Sequence, residues 1–241
     1  MNSNTLKIIA CISMLIDHMG VVLFPDIDAF RIIGRLAMPI FAFMIGEGCL
    51  HTKNKFRYFI SVFSLAAICQ IVYEIYEYQC GIKGYSYLNI LFTFSLSIIL
   101  CSAYLALKNS LSQKKTAKTV LNTAMFLAAL GFVILLDFFL NRSFKITGIH
   151  IKIDYGLAGV LLPMAAVVFT DREQKLVSFM TALFLFSYFK YGISYRALAA
   201  VLTIPLLCFY NGKRGSKKGK YFFYVFYPLH LLVIHLLDYF I

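Results

Sequence analysis

LKIIACISMLIDHMGVVLFPDIDAFRIIGRLAMPIFAFMIGEGCL, residues 6–50, holds two apolar runs at 6–24 and 29–50 joined only by the short turn PDID. Each run is close to the roughly 20 residues needed to cross a hydrocarbon core about 30 Å thick. The turn is too short for anything but an antiparallel pair of helices, so the stretch reads as a transmembrane hairpin. Inside it stand Asp17, His18, Arg31 and Arg35. A charge at mid-bilayer costs about 2.5–3.5 kcal/mol on translocon scales, so such groups face a partner, a cavity or a substrate path.

The rest of the chain repeats the pattern. Of 241 residues 61% are apolar and only 14% charged, with 24 Phe and 16 Tyr. Further apolar segments lie at 56–77, 88–107, 118–140, 153–170, 176–189, 197–210 and 221–241. The expected fold is an all-α polytopic bundle of about nine spans, within a range of roughly eight to ten. It forms a single integral membrane domain over 1–241, in which the first run is a retained span and not a removable signal peptide. The segments 176–189 and 197–210 meet at KYGISYR, as two tilted spans or a broken, re-entrant pair.

The formal net charge of +12 is a matter of topology, not of nucleic-acid binding. With the N-terminus cytoplasmic, most of the 23 Lys and Arg residues fall on the inner side, which is the positive-inside bias of a multi-pass protein of the cytoplasmic membrane. The basic loop NRSFKITGIHIK is the exception on the outer side. Cys11, Cys49, Cys69, Cys101 and Cys208 lie in or at the ends of apolar spans and only Cys80 is in a loop. That pattern makes neither a disulfide framework nor a metal site and is expected to serve packing.

At 1.5 Å per residue, His18 lies about 18 Å from the inner boundary and Arg35 about 9 Å from the outer one. The two depths nearly coincide, so the pair is expected to face one another in the outer half. A neutral His can act as a base near neutral pH, and Arg can fix an anion. Asp17 points about 100° away from His18 and is expected to support electrostatically, paired with an arginine of the second span or packed against the last. Arg31 shares a helical face with Arg35, as Glu47 does with His51. Pro39 and the small residues around it permit a kink and close helix approach. His230 reads equally well as functional or structural. Gln70, Glu74 and Asp137 read as bundle-stabilising groups, and His150, His235 and Asp238 as interfacial ones.

The order and detail of LKIIACISMLIDHMG, RIIGRLAMPIFAFMIGEGCLHTKNKFRY, LNILFTFSLSI, DYGLAGVL and YNGKRGSKKGKYFFYVFYPLHLL resemble the successive signatures of the TraX family across nearly the whole chain. That family is named for a conjugation protein that acetylates the N-terminal residue of pilin. It is similar to the acyltransferase-three group of integral membrane acyltransferases, whose first span carries Arg, ten residues and His; here Lys7 and His18 stand at that spacing. Lys keeps the charge but loses the bidentate fork.

The resemblance implies an acyltransferase that uses acetyl-CoA as acyl donor and no metal, with a peptide or envelope acceptor and membrane lipid as its other partners. His18, Arg35 and Asp17 would be catalytic. Arg31, Glu47 and His230 would bind substrate, and Lys7, Lys53, Arg57, Lys213 and Arg214 the coenzyme. The competing expectations are a transporter or lipid-handling protein that uses the same pocket, and an assembly factor whose polar groups only hold the bundle.

Overall fold

A computed structural model describes residues 1–79, 85–142, 150–213, 215 and 219–240. Chain order is α1 (Ser3–Val22), α2 (Asp28–Gly34), α3 (Ala37–His51), α4 (Lys55–Gln79), β1 (Tyr85–Leu88), α5 (Ile90–Ser112), α6 (Thr116–Arg142) and β2 (His150–Ile153). There follow α7 (Gly156–Leu161), a 3-10 turn (Leu162–Ala166), α8 (Arg172–Tyr191), α9 (Tyr195–Val201), α10 (Thr203–Cys208) and α11 (Gly219–Phe240).

Polar caps set several starts. Asn2 accepts from Thr5 N at 3.0 Å, Asn89 from Leu91 N at 3.0 Å, and Asp171 from Glu173 N and Gln174 N at 3.0 and 3.1 Å. Each satisfies an amide that the first helical turn leaves unpaired. The second span is broken into α2 and α3, and the break falls at Arg35–Leu36 rather than at Pro39 itself. Pro39 has no N–H, and its ring excludes the carbonyl four residues back, which belongs to Arg35.

Six segments among the described residues are long and apolar enough to cross a membrane: α1, α2 with α3, α4, α5, α6 and the Phe222–Phe240 part of α11. The nine expected segments therefore resolve into six full-length helices and three shorter or more polar pieces. The 153–170 segment is α7 plus the 3-10 turn, and 197–210 is the pair α9 and α10. Helix α8 is long enough, at 20 residues, but opens on Arg172, Glu173 and Lys175. Among the described residues, the one addition to an all-α bundle is a parallel ladder in which Tyr85–Leu88 pairs with His150–Ile153.

Helix α3 is the most enclosed, and the main core gathers on it. Leu6 and Ala10 from α1, Ile40 and Phe43 from α3, Ile98 and Cys101 from α5 and Phe179 and Leu183 from α8 are all buried there. Gly46 lets α3 touch the 3-10 turn, since a Cβ there would meet Ala166 Cβ and the Pro163 carbonyl at 2.7 Å. By contrast, Val133 is the buried residue of α6; Ala129, Leu130, Leu136 and Leu140 pack partly buried beside it, while Leu121, Leu127, Phe132, Leu135 and Phe139 are exposed as on a lipid-facing helix. Cys11, Cys49, Cys69 and Cys101 are buried free thiols, whereas Cys208 is exposed, so the packing role expected of it does not apply. Cys80 and the 143–149 part of the basic outer loop lie outside the described residues.

Candidate active site

A cavity of about 260 Å³ opens at the end of the bundle where β1 and β2 finish. Its walls come from six places in the chain: Asp17 and His18 of α1, Gly34 and Phe41 of the second span, Tyr73 of α4, Asn89, Asp154 with Tyr155, and Tyr227 with His235 of α11. The parallel ladder brings Asn89 and Asp154 together, because both follow directly on the paired strands. Thr93 Oγ1 of α5 fixes that corner by donating to the Asp154 carbonyl at 2.8 Å.

His18 Nδ1 lies 2.8 Å from His230 Nε2, and the two rings stack with centroids 5.0 Å apart and planes 6° from parallel. His230 Nδ1 lies 2.9 Å from the Phe226 carbonyl. A carbonyl only accepts, so His230 Nδ1 carries the hydrogen and its Nε2 is left with a lone pair. His18 Nδ1 then donates, and His18 Nε2 holds the free lone pair. Hydrogen bonding alone thus sets both tautomers and leaves one basic nitrogen on a residue of the cavity wall.

Asp17 and the arginines form a second cluster. Arg31 Nη1 pairs with Asp17 Oδ2 at 2.9 Å, and Arg35 Nη2 stands 3.9 Å from Oδ1. Arg35 Nη1 donates to Tyr155 Oη at 3.3 Å and Tyr191 Oη at 3.1 Å, and its guanidinium sits 5.5 Å from the Tyr191 ring centroid. The hydrogen bond of His18 therefore goes to His230, not to the expected Arg35, whose groups are drawn toward Asp17 and two tyrosines. Depth bookkeeping gives level but not azimuth, and the azimuth belongs to Asp17. Gly34 makes the cluster possible, since a Cβ there would stand 2.1 Å from Asp17 Oδ1.

Asp154 lies in the turn between β2 and α7, outside the spanning helices. Burial pushes its carboxyl up to about 6, against the pull of Lys190 and Arg35. Tyr155 beside it adopts a left-handed φ of 60°, and Gly156 follows at 57°. The reversed backbone turns the Tyr155 hydroxyl toward Arg35.

Other expected residues stand at the opposite end of the bundle. Glu47, only 5% exposed, accepts from Lys175 Nζ at 2.5 Å and Tyr210 Oη at 3.2 Å, with His51 Nε2 at 3.4 Å. It lies ten residues, about 15 Å of helix, beyond Ala37 of the cavity wall, so the structure does not bring it to the cavity. Lys7 Nζ rests 5.7 Å from the Phe223 ring centroid. Lys53, Arg57 and Lys213 are exposed at this basic end, and Arg214 lies outside the described residues. The buried Ala10 and Phe43 lie between this end and the cavity.

His235 was expected at the interface yet is 8% exposed and lines the cavity. Its spacing from Tyr227, Leu231 and Ile234 on one helical face is the signal that could have placed it there. Asn89 and Tyr155 carry no such local signal. Gln70 behaves as the bundle-holding group expected, donating to Glu74 Oε1 and the Tyr87 carbonyl at 2.8 and 3.0 Å.

The family described as TraX protein matches residues 2–238. A protein of Dichelobacter nodosus described as "Probable fimbrial assembly protein FimC, serogroup H1" is 23% identical over 245 residues, covering 95% of this chain and 92% of that one. "Uncharacterized protein RP591" of Rickettsia prowazekii is 47% identical over 55 residues, covering 23% of this chain and 22% of its own. No solved structure matches the chain.

Proposed function

The chain belongs to the TraX family, and from that premise we propose that it is an acyltransferase of the cytoplasmic membrane. It moves an acetyl group from acetyl-CoA to an amine or hydroxyl of a peptide or envelope acceptor. The observation that carries this reading is the Phe226 carbonyl–His230–His18 chain, which fixes the tautomer of His18 and leaves its Nε2 lone pair free on a residue of the cavity wall. The fimbrial-assembly name of the Dichelobacter relative agrees with a peptide acceptor.

In the reaction, the acceptor nitrogen or oxygen attacks the thioester carbonyl carbon while His18 Nε2 takes the proton it loses. Collapse of the tetrahedral intermediate breaks the C–S bond, and the proton passes from His18 to the departing thiolate. His230 holds the His18 ring and accepts from its Nδ1–H, so positive charge on the imidazole is shared as it forms. Asp17, Arg31 and Arg35 position this wall rather than touch the reacting atoms.

The coenzyme phosphates suit the basic end around Lys7, Lys53, Arg57 and Lys213. Lys7 and His18 are eleven residues, about 16 Å, apart along α1, and the pantetheine arm must cover that distance. The packed layer that includes Ala10 and Phe43 must part to admit it. On this reading the N-terminus is on the cytoplasmic side, where the donor is made.

Purified protein incubated with radiolabelled acetyl-CoA and membrane extract should yield a labelled peptide or envelope product. No label in any fraction, with the protein folded and the coenzyme intact, would overturn the reading. A transporter would instead move label-free substrate across vesicles without consuming acetyl-CoA.

A further inference from the structure

His235 is a cavity group whose chemistry the transfer step leaves unused. It is more than nine-tenths buried, it lines the cavity, and both Nδ1 and Nε2 lack a hydrogen-bond partner. Its ring is held by the Tyr76 ring, with centroids 3.7 Å apart and planes 19° from parallel. The Tyr76 hydroxyl is in turn tied to Asp238 Oδ2 at 2.8 Å. A buried imidazole with two orphaned nitrogens destabilises a fold unless something else repays it. Here the ring is oriented and its polar atoms are left vacant, which is how a ligand-binding group is built.

The structure assigns His235 as the acceptor-positioning residue, which hydrogen-bonds an uncharged amide adjacent to the acceptor's reacting group. This rests on the transfer reading above. A neutral imidazole offers one N–H and one lone pair, so it matches a group that both donates and accepts, as a peptide amide does. The rest of the wall agrees with an acceptor that brings hydrogen atoms to donate. Asp17 Oδ1 accepts no hydrogen bond, Asp154 presents a second carboxyl, and His18 Nε2 a third acceptor. His235 is five residues beyond His230, about 7.5 Å along α11. An acceptor whose reacting atom is at His18 therefore meets His235 with a group a few bonds further on.

His235→Phe keeps the ring that stacks on Tyr76 and removes both nitrogens. Two probes separate the amide contact from the rest: alaninamide and isopropylamine, which differ chiefly in the amide group. Titration into wild-type protein in detergent should show alaninamide binding roughly tenfold more tightly, about the size of one buried hydrogen bond. In His235→Phe that preference should vanish while isopropylamine affinity stays unchanged, and the ligand-free variant should melt at a higher temperature than wild type. Wild-type protein without preference for the amide, or a variant that keeps it, overturns the assignment. A variant that melts lower and loses both probes alike shows a structural role and overturns it too. If the preference behaves as expected but no acetyl group is ever transferred, the transfer reading fails and the amide site stands.

Discussion

Two hydrogen bonds decide which nitrogen of His18 is available, and both run through His230. His230→Phe would preserve stacking on Phe226, whose ring centroid lies 5.1 Å away, while leaving His18 Nδ1 without its acceptor. Turnover is then expected to fall by roughly 10- to 10³-fold, with the KM for acetyl-CoA nearly unchanged. His230→Gln, which can still accept through its amide oxygen, should recover part of the loss; equal loss in both variants would reduce His230 to packing. Asp154 gives a pH prediction. Its carboxyl is raised to about 6 in the fold, so the folded state holds its proton more tightly than the unfolded chain. The stability this lends is full below the usual carboxylate range and is lost as pH rises through about 6. Melting temperatures of wild type and Asp154→Asn, taken between pH 4.5 and 8, should therefore diverge as pH rises, with wild type falling relative to the variant. Parallel profiles would contradict it.

His18 was legible as an ionisable group that an apolar helix has to justify, and so was the pairing of Asp17 with an arginine of the second span. Asn89 and His235 were not, for two reasons. Asn89 reaches the cavity through pairing between strands far apart in sequence, and His235 through the azimuth of a helix near the chain's end.

At the scale of elements, the meeting of α1 with α2 depends on a missing side chain. Gly34→Ala would set a Cβ against the Asp17 carboxylate, forcing the aspartate off Arg31 or α2 off α1. A destabilisation of about 1–3 kcal/mol is expected for such overpacking, measured by thermal or denaturant unfolding in detergent, and transfer should drop with it. An unchanged midpoint would mean the helices yield more easily than their packing implies. The position of the break in the second span follows the same logic: Pro39 was visible in sequence, but the weak point is one turn earlier, at the carbonyl that lost its donor. Three of the nine expected segments are not full-length apolar helices for a related reason. Apolar length alone does not distinguish a full crossing from the short pairs α7 with its 3-10 turn, or α9 with α10, which turns and prolines divide.

Across the whole molecule, polar chemistry gathers at two ends with a packed apolar layer between them. The cavity and its histidines occupy one end; the buried Glu47 network and the basic surface occupy the other. If the basic end is cytoplasmic, a membrane-impermeant thiol reagent applied to a Cys80→Ser variant should label the exposed Cys208 in inverted vesicles but not in intact cells. Labelling from the outside would invert the topology. The central claim is transfer by His18, and its most direct measurement is acetyl transfer from radiolabelled acetyl-CoA by wild-type protein and His18→Ala, alongside coenzyme binding by each. Label in product with wild type and a loss of about 10²-fold or more in a variant that still folds and binds coenzyme is the predicted result. Full transfer by His18→Ala would contradict it.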